Sequence, residues 1–486
     1  MTNTHRLTVV AAALLASSLP LLAQSGRPDW SRFRGPNGSG VSLAKNVPIE
    51  FGPGKNLLWR VELPVGYSSP ILFGDRIFLT GVRGKSLVTL ALDRSTGQIL
   101  WERTAPADMR PPVDKRNNPA SPSVAADANG VYVFFPDFGL VTYDQQGKEL
   151  WNLPLGPFTN IYGMGASPVI WNDLLLLAVD QSRGSYLVAY DAKTGKERWK
   201  TSRPEATSGH ATPVVWRAPD GQDQILLPGS FLLTAYEPAT GKKLWWVRGL
   251  SWEIKSTPVI ANDLLYINGY GSPEGDQGRA ITLPAADETW KTADADKDGV
   301  LSRDEFPKGA PGSTTTPPTG WFTVADLDQN GTIDKTEWEY IRAALASENG
   351  MLAIRLGGSG DMTDRSIVWK YHRSVPQLPS PLIYHDVLYM VNDGGIVTTF
   401  NAKTGDVIKQ GRLTGAPGNY FASPIAADGH VFFTSQPGVV SVLNPDGSLA
   451  PLVVNPLDED VYATPAVADG RLYVRTTQAL WAFGRR

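Results

Sequence analysis

Cysteine is entirely absent from the 486-residue chain. Its absence excludes disulfide bonds, covalently attached c-type haem and zinc sites that are built from thiolates. It also excludes an N-terminal lipid anchor of the kind that is joined to a cysteine sulfur. A chain of this length has to be stabilised by its hydrophobic core alone, and it is long enough to form a large one.

The net charge is also small, and histidine is rare. The 45 basic and 48 acidic residues leave a formal charge of −3, so we expect no basic surface that would attract nucleic acid. Phosphate-binding glycine loops, Gly-x-Ser-x-Gly elbows and His-Glu-x-x-His helices are missing from the sequence. The histidines beyond the N-terminal segment are scattered, and we interpret each as an isolated core or surface side chain: His210, His372, His385 and His430.

Long apolar runs are confined to the N-terminus. Arg6 precedes the apolar residues 7–22, and a small residue follows them. This pattern predicts an export signal over residues 1–23 and a mature chain, periplasmic or extracellular, that begins near residue 24. A membrane anchor is the alternative, but Pro20 interrupts the run, which is shorter than the ~20 residues that a span needs. We expect no membrane span after the signal is removed.

What the chain has in abundance is glycine, proline and tryptophan, at 48, 38 and 15 residues, which suits an all-β protein with many turns. A Ser-Pro or Thr-Pro pair followed by apolar residues recurs at intervals of 52, 46, 45, 45, 123, 43 and 41 residues. These spacings predict eight four-stranded units of a β-propeller, because a blade takes ~40–50 residues. The pairs begin at Ser69, Ser121, Ser167, Thr212, Thr257, Ser380, Ser423 and Thr464.

Each unit ends in a hairpin that contains an acidic or amide residue and a glycine, usually followed by a tryptophan. Asp191, Gly195 and Trp199 are one example. The acidic side chain can bond the turn backbone while the glycine takes positive φ, and we expect the tryptophan to pack between blades. The other hairpins begin at Asp93, Asp144, Glu237, Asn401 and Asn444, and the last two lack the tryptophan.

The final unit, residues 464–484, has only three strands, and residues 57–62 resemble an isolated fourth strand. We therefore expect this N-terminal strand to close the ring, with residues 24–56 as a loop-rich lead-in. From Trp30 to Phe483 the units resemble the pyrroloquinoline-quinone-type propeller repeat, seen in quinoprotein dehydrogenases and in the outer-membrane barrel-assembly lipoprotein. The resemblance implies an all-β, eight-bladed propeller of four-stranded antiparallel blades, formed by residues 57–271 and 350–486.

The 123-residue interval contains an insertion at residues 272–349, in blade five. Two twelve-residue segments in it match the EF-hand calcium loop, and their first residues are 32 apart. An acidic surface loop is the alternative, but two complete matches in tandem favour calcium. The predicted ligands are Asp294, Asp296, Asp298, Val300, Ser302 and Glu305 in the first loop, and Asp326, Asp328, Asn330, Thr332, Asp334 and Glu337 in the second.

The spacing suits calcium because alternate residues of a tight loop converge six to eight oxygens on one centre. The loops should pair side by side through apolar residues at position 8, Leu301 and Ile333. A helix over residues 321–325, capped by Thr319, should enter loop two, and another over 335–347 should leave it. Pro307 should shorten the helix after loop one to about a turn, so the second site is the better defined. We expect calcium to fold the small helical insertion rather than to switch it.

Two functions remain open. The first is a monomeric binding or scaffolding module with a protein or other cell-envelope partner across the propeller face. The second is a quinoprotein-type dehydrogenase that binds pyrroloquinoline quinone in the axial funnel; the short units leave little sequence for a substrate chamber, so we favour the first. In the Pro-rich loop 106–119, Arg110, Asp114 and Arg116 either contact a partner or form a solvated loop. No catalytic constellation is evident.

Overall fold

The structure is a computed structural model that describes residues 30–112, 114–277, 279–309 and 313–485. Eight four-stranded antiparallel sheets follow one another along the chain as the blades of a propeller. The predicted export signal lies outside the described residues. In the part of the chain that is described, no helix combines the length and the apolar character needed to cross a membrane.

Each blade runs from a short strand at the central channel to a fourth strand at the outside. The innermost strands are Ile71–Phe73, Ala125–Ala126, Val169–Trp171, Val214–Arg217, Val259–Ala261, Leu382–Tyr384, Ile425–Ala427 and Ala466–Ala468. The second strands are Arg76–Arg83, Val131–Phe135, Leu174–Val179, Asp223–Gly229, Leu264–Gly269, Val387–Asn392, His430–Thr434 and Arg471–Arg475. The third strands are Ser86–Asp93, Gly139–Tyr143, Tyr186–Asp191, Leu232–Tyr236, Gly350–Arg355, Ile396–Asn401, Val439–Leu443 and Ala479–Gly484. The outer strands are Ile99–Asp108, Glu149–Pro154, Glu197–Ser202, Lys243–Arg248, Ile367–Tyr371, Val407–Arg412, Val453–Pro456 and, in blade eight, Leu57–Glu62.

Burial follows the position of a strand in its blade. In blade three, all six residues of Leu174–Val179 are buried, because neighbouring blades cover both faces of the second strand. The outer strand Glu197–Ser202 keeps only Trp199 buried. The core therefore lies between the blades, which is why the second and third strands are apolar without alternation.

The ring closes as the sequence predicted. Leu57–Glu62 pairs antiparallel with Ala479–Gly484, with Arg60 opposite Trp481. Blade eight is thus completed by strands from the two ends of the chain, and the edge of its third strand is covered.

The tryptophan that ends a blade contacts the hairpin glycine of the next blade. A Cβ on Gly195 would lie 2.8 Å from the Trp151 ring, so only glycine lets the ring approach this closely. The Trp151 indole N–H also donates to the Ala192 carbonyl, at 3.0 Å. Packing between blades is therefore confirmed. Trp369 of blade five, which the hairpin pattern missed, makes the same contact with Gly405.

Blade five carries the insertion between its second and third strands. Its helices are α1 (Ala286–Ala293), α2 (Phe322–Ala325) and α3 (Lys335–Ala346). Two short strands, Leu301–Ser302 and Thr332–Ile333, pair antiparallel, so the predicted side-by-side loops are confirmed. The helix before loop two begins at Phe322 with Trp321 as its N-cap residue and no side-chain cap, so the expected Thr319 cap is wrong.

A second excursion of blade five, residues 356–366, was not expected. Its short strand Gly360–Asp361 adds to the outer edge of blade four in parallel, and helix α4 (Thr363–Ser366) follows it. Here the indole N–H of Trp245 donates to Gln224, at 2.8 Å. The unexpected strand covers the edge that blade four would otherwise expose.

The lead-in is a plug in the channel rather than a surface loop. It contains a 3₁₀ turn, Pro36–Gly38, and a strand, Val41–Ser42, that pairs parallel with the innermost strand of blade seven. The carbonyl oxygens of Trp30 and Ser31 accept from Leu72 and Ala126, both at 2.9 Å. The plug thus satisfies backbone groups on the channel-facing edges of the innermost strands.

Two arginines of the plug bond other blades. Arg32 donates to the Pro213 carbonyl at 2.5 Å, and Arg34 donates to the Pro381 carbonyl at 2.7 Å. Both guanidinium groups are buried, and burial lowers the pKa of Arg32 to about 10 and of Arg34 to about 9. These buried contacts attach the plug to blades four and six.

Candidate functional site

A belt of hydroxyl groups joins the eight blades where the innermost strands begin. Each of seven hydroxyls accepts a hydrogen bond from the backbone N–H of the belt residue one blade earlier, over 2.9–3.4 Å. The recurring Ser-Pro and Thr-Pro pairs therefore mark this belt. One assignment is corrected: blade two contributes Ser123 rather than Ser121. The belt residues are Ser69, Ser123, Ser167, Thr212, Thr257, Ser380, Ser423 and Thr464.

Replacing Ser423 with alanine should destabilise the ring by about 1–3 kcal/mol, because the buried Ser380 N–H would lose its acceptor. Equilibrium urea unfolding measures the change. Ser448→Ala, at an exposed position of the same blade, is the control and should have no measurable effect. Equal stability of the two variants would show that the belt does not hold neighbouring blades together.

Two residues before each belt residue, a side chain or a glycine faces an axial funnel. These eight positions, with Phe33 of the plug and residues of two longer loops, line a cavity of about 190 Å³. The regular offset arises because alternate residues of an extended chain point the same way. The funnel positions are Tyr67, Ser121, Gly165, His210, Lys255, Leu378, Phe421 and Tyr462.

One half of the funnel is aromatic. The rings of Tyr67 and Tyr462 stack with centroids 4.1 Å apart and planes inclined by 6°. Phe421 stacks on the other face of Tyr462, at 4.8 Å and 10°. Burial raises the pKa of Tyr67 to about 12, so its phenol stays protonated near neutral pH. Three parallel rings from blades seven, eight and one thus form a flat apolar wall.

The opposite half is polar. Lys255 forms an ion pair with the fully buried Glu253, which also accepts from the Ser208 hydroxyl at 2.9 Å. Burial lowers the pKa of His210 to about 3, and nearby Lys255 adds to the effect, so the imidazole is neutral at pH 7. The Lys255 ammonium group also lies 5.2 Å from the centre of the Tyr162 ring. His210 is therefore a funnel residue, not the isolated side chain that we expected.

The Pro-rich loop borders the same polar half. Arg116 makes a two-point contact with Asp114, at 2.9 and 2.6 Å, and its guanidinium lies 5.4 Å from the Tyr162 ring. Arg110 lies in a neighbouring cavity, where its backbone N–H donates to Asp137 at 2.8 Å. Asp114 and Arg116 thus belong to the funnel mouth, and the interpretation of this loop as merely solvated does not hold for them.

The insertion contains two loops with the same internal hydrogen bonds. In loop one, the Gly299 N–H donates to Asp294 at 3.2 Å, and in loop two the Gly331 N–H donates to Asp326 at 3.0 Å. The last residue of each loop also accepts from the backbone: Ala295 donates to Glu305, and Leu327 to Glu337, both at 2.9 Å. The loops therefore share one geometry.

Carboxylates converge in both loops. In each, oxygens from the residues at positions 1, 3 and 12 lie within 4.8 Å of one another. In loop one, Asp294 Oδ1 is buried without a hydrogen-bond partner. Oxygen-only donors at alternate positions, with an unsatisfied buried oxygen among them, fit a calcium ion. The converging residues are Asp294, Asp296 and Glu305 in loop one, and Asp326, Asp328 and Glu337 in loop two.

The two loops differ in their surroundings. The Glu305 pKa falls to about 2, chiefly because the Ser302 hydroxyl donates to its half-buried carboxylate. Burial instead raises the pKa of Glu337, whose side chain is inaccessible to solvent. After loop one, a single turn closes with Phe306 N–H donating to Ser302, as expected of a shortened helix.

Helix α3 places the insertion on the funnel face of the propeller. Its Tyr340 ring contacts Phe231 and Trp252, with centroids 5.6 and 6.1 Å away. Trp252 precedes the buried Glu253, and the second-to-third-strand hairpins lie at the same end as the belt. The two EF-hand-like loops and the funnel are therefore neighbours, which sequence analysis did not anticipate.

Known protein families match most of the chain. A family model described as "Outer membrane protein assembly factor BamB" matches residues 52–215, 183–306 and 344–486, and one described as "EF hand" matches residues 319–339. A "Polyvinylalcohol dehydrogenase" from Pseudomonas sp is 24% identical over 278 residues, which is 47% of this chain and 41% of that relative. The match thus spans about two fifths of the relative's length.

Solved structures share the fold at low identity. BamB from Moraxella catarrhalis has a TM-score of 0.56 and 14% identity, covering 88% of this chain and 97% of its own. Quinohemoprotein alcohol dehydrogenase from Comamonas testosteroni has a TM-score of 0.53 and 12% identity, covering 96% and 82%. The same family is indicated by the eight sequence repeats, by the eight-bladed ring and by the family match over most of the sequence. The chain belongs to the pyrroloquinoline-quinone-like propeller repeat family, the one whose model carries the BamB description.

Proposed function

We propose that the protein is an exported, calcium-binding propeller that binds a protein partner of the cell envelope at its funnel mouth. The observation that carries this proposal is the funnel itself. Its cavity of about 190 Å³ is smaller than the ~300–1,000 Å³ typical of small-molecule sites, and it combines stacked aromatic rings with a polar rim. Such a site suits one or two apolar side chains of a partner protein.

Calcium bound in the insertion would stabilise the funnel face of the propeller. The residues of both loops would hold the ion through carboxylate oxygens, with backbone oxygens of Val300 and Thr332 completing each shell. Once bound, the ion supplies charge neutralisation that lets the acidic loops stay folded. Helix α3 would then remain packed against Trp252 and Phe231, beside the funnel.

The proposal predicts that the partner is lost when the aromatic wall is removed. In Tyr462→Ala, both stacking contacts disappear, and we expect partner affinity to fall at least about tenfold. The measurement is site-specific photo-crosslinking from position 421 in envelope extracts, followed by titration of the identified partner. Ile408→Ala, on an exposed outer strand, is the matched control. Equal affinity for Tyr462→Ala and the control would reject the funnel as the binding site.

A quinoprotein dehydrogenase is the second candidate, and similarity to a polyvinylalcohol dehydrogenase favours it. The donor set of the funnel does not fit a calcium-bound quinone well. Asp114 and Glu253 are each engaged in an ion pair, and the described residues bring no three metal-ligating side chains together there. Incubation with pyrroloquinoline quinone and calcium distinguishes the dehydrogenase from the protein-binding propeller. A bound chromophore with dye-reducing activity would favour the dehydrogenase.

A further inference from the structure

Arg183 extends from the propeller into the second calcium loop. It lies in the hairpin between the second and third strands of blade three. Its Nε is 3.3 Å from Asp328, and its Nη2 is 2.8 Å from Asp334 and 3.1 Å from Glu337. These carboxylates occupy positions 3, 9 and 12 of the loop. One guanidinium thus contacts three carboxylates that a calcium ion would use and offsets part of their negative charge.

The first loop has no equivalent. Among the described residues, no lysine or arginine forms an ion pair with Asp294, Asp296 or Glu305. The buried Asp294 Oδ1 there also lacks a hydrogen-bond partner. Two loops with the same ligand pattern therefore differ in charge: a propeller arginine partly compensates the second, and no arginine or lysine of the described residues does so for the first.

We infer that Arg183 is an intramolecular counter-ion that competes with calcium for the second loop. The inference rests on the proposed calcium binding. Calcium needs the outward oxygens of Asp328, Asp334 and Glu337, and it repels a cation that lies within hydrogen-bond distance of them. Calcium binding therefore displaces the Arg183 side chain from loop two, and the cost of displacing it lowers calcium affinity at this loop.

The displacement would reach the funnel through a second set of contacts. In the Arg183 hairpin, the Ser182 N–H donates to the Thr159 carbonyl at 2.7 Å. The Asn160 amide donates to the Asp180 carbonyl at 3.1 Å. Residues 159–160 lead directly to Tyr162 in the funnel wall. Loop two, the Arg183 hairpin and the polar half of the funnel are thus contiguous.

The test is calorimetric titration of calcium into the full mature chain carrying Asp294→Asn, which weakens loop one so that loop two dominates. Adding Arg183→Gln, which removes the charge but keeps a polar side chain, should tighten calcium binding at least about tenfold. Arg198→Gln is the control, because Arg198 lies in the same blade and pairs with Asp173 and Asp191, away from the insertion.

Hydrogen exchange provides an independent readout. Calcium should alter exchange at residues 159–162 when Arg183 is present and leave it unchanged in Arg183→Gln. Equal calcium binding by Arg183→Gln would reject competition, and weaker binding would show instead that the arginine orders the ligands. Failure of both proteins to bind calcium would reject the proposed calcium site as well, so the two failures are distinguishable.

Discussion

Removal of calcium with a chelator is expected to destabilise residues 285–347 while the propeller keeps its stability. The two loops hold carboxylates within 4.8 Å of one another, and without the ion these groups repel, because Arg183 offsets only part of the charge in loop two. Calcium present at about 100 times its dissociation constant would stabilise the insertion by about 2.7 kcal/mol. Chelation should therefore lower hydrogen-exchange protection across this segment by about 100-fold.

Hydrogen exchange followed by mass spectrometry measures this effect peptide by peptide. The internal control is the blade-three segment Leu174–Val179, which is fully buried between blades and should keep its protection. Unchanged protection across 285–347 after chelation would contradict the proposal that calcium folds the insertion. A loss of protection throughout the chain would instead show that the insertion and the ring unfold as one unit.

Replacing Trp30 with alanine is expected to lower the free energy of unfolding by about 3–5 kcal/mol. The indole is only 1% exposed and belongs to the hydrophobic core shared by blades seven, eight and one. It also packs on Gly35, where a Cβ would lie 2.5 Å from the ring. Removing the indole would leave a cavity where the plug meets the channel wall, in addition to the lost burial.

Urea unfolding of the mature chain, monitored by circular dichroism, measures the difference. Leu43→Ala provides the matched control, because Leu43 lies in the same lead-in and is 81% exposed. This control should unfold within about 0.5 kcal/mol of the wild type. A Trp30→Ala variant as stable as the control would show that the plug is an accessory to the ring rather than part of its core.

The architecture could be predicted from sequence because its signals are local and repeated. The Ser/Thr-Pro pairs recur once per blade, the hairpin glycines and the tryptophans recur in most blades, and together they predict the number of blades and the ring closure. The two EF-hand-like loops were equally visible, since all of the predicted ligands of each lie within twelve residues. The break in the regular spacing located the insertion correctly in blade five.

The funnel was harder to predict because its residues come one from each blade. The signal was present two residues before each belt residue, as at His210 and Tyr462. This signal is difficult to recognise because the residue type at these positions changes from aromatic to basic around the ring. No sequence pattern predicts that Arg32 and Arg34 will be buried against carbonyl groups. Such contacts depend on three-dimensional proximity alone.

Closure of the ring by the two ends of the chain has a consequence for the order of assembly. Leu57 is paired with Phe483, so blade eight cannot form until almost the whole chain is available. The plug, which precedes Leu57 in sequence, bonds blades that are made much later, as Arg34 does with Pro381. The N-terminal segment therefore reaches its native contacts only after the C-terminal blades have formed. Contacts of such long sequence separation favour slow folding.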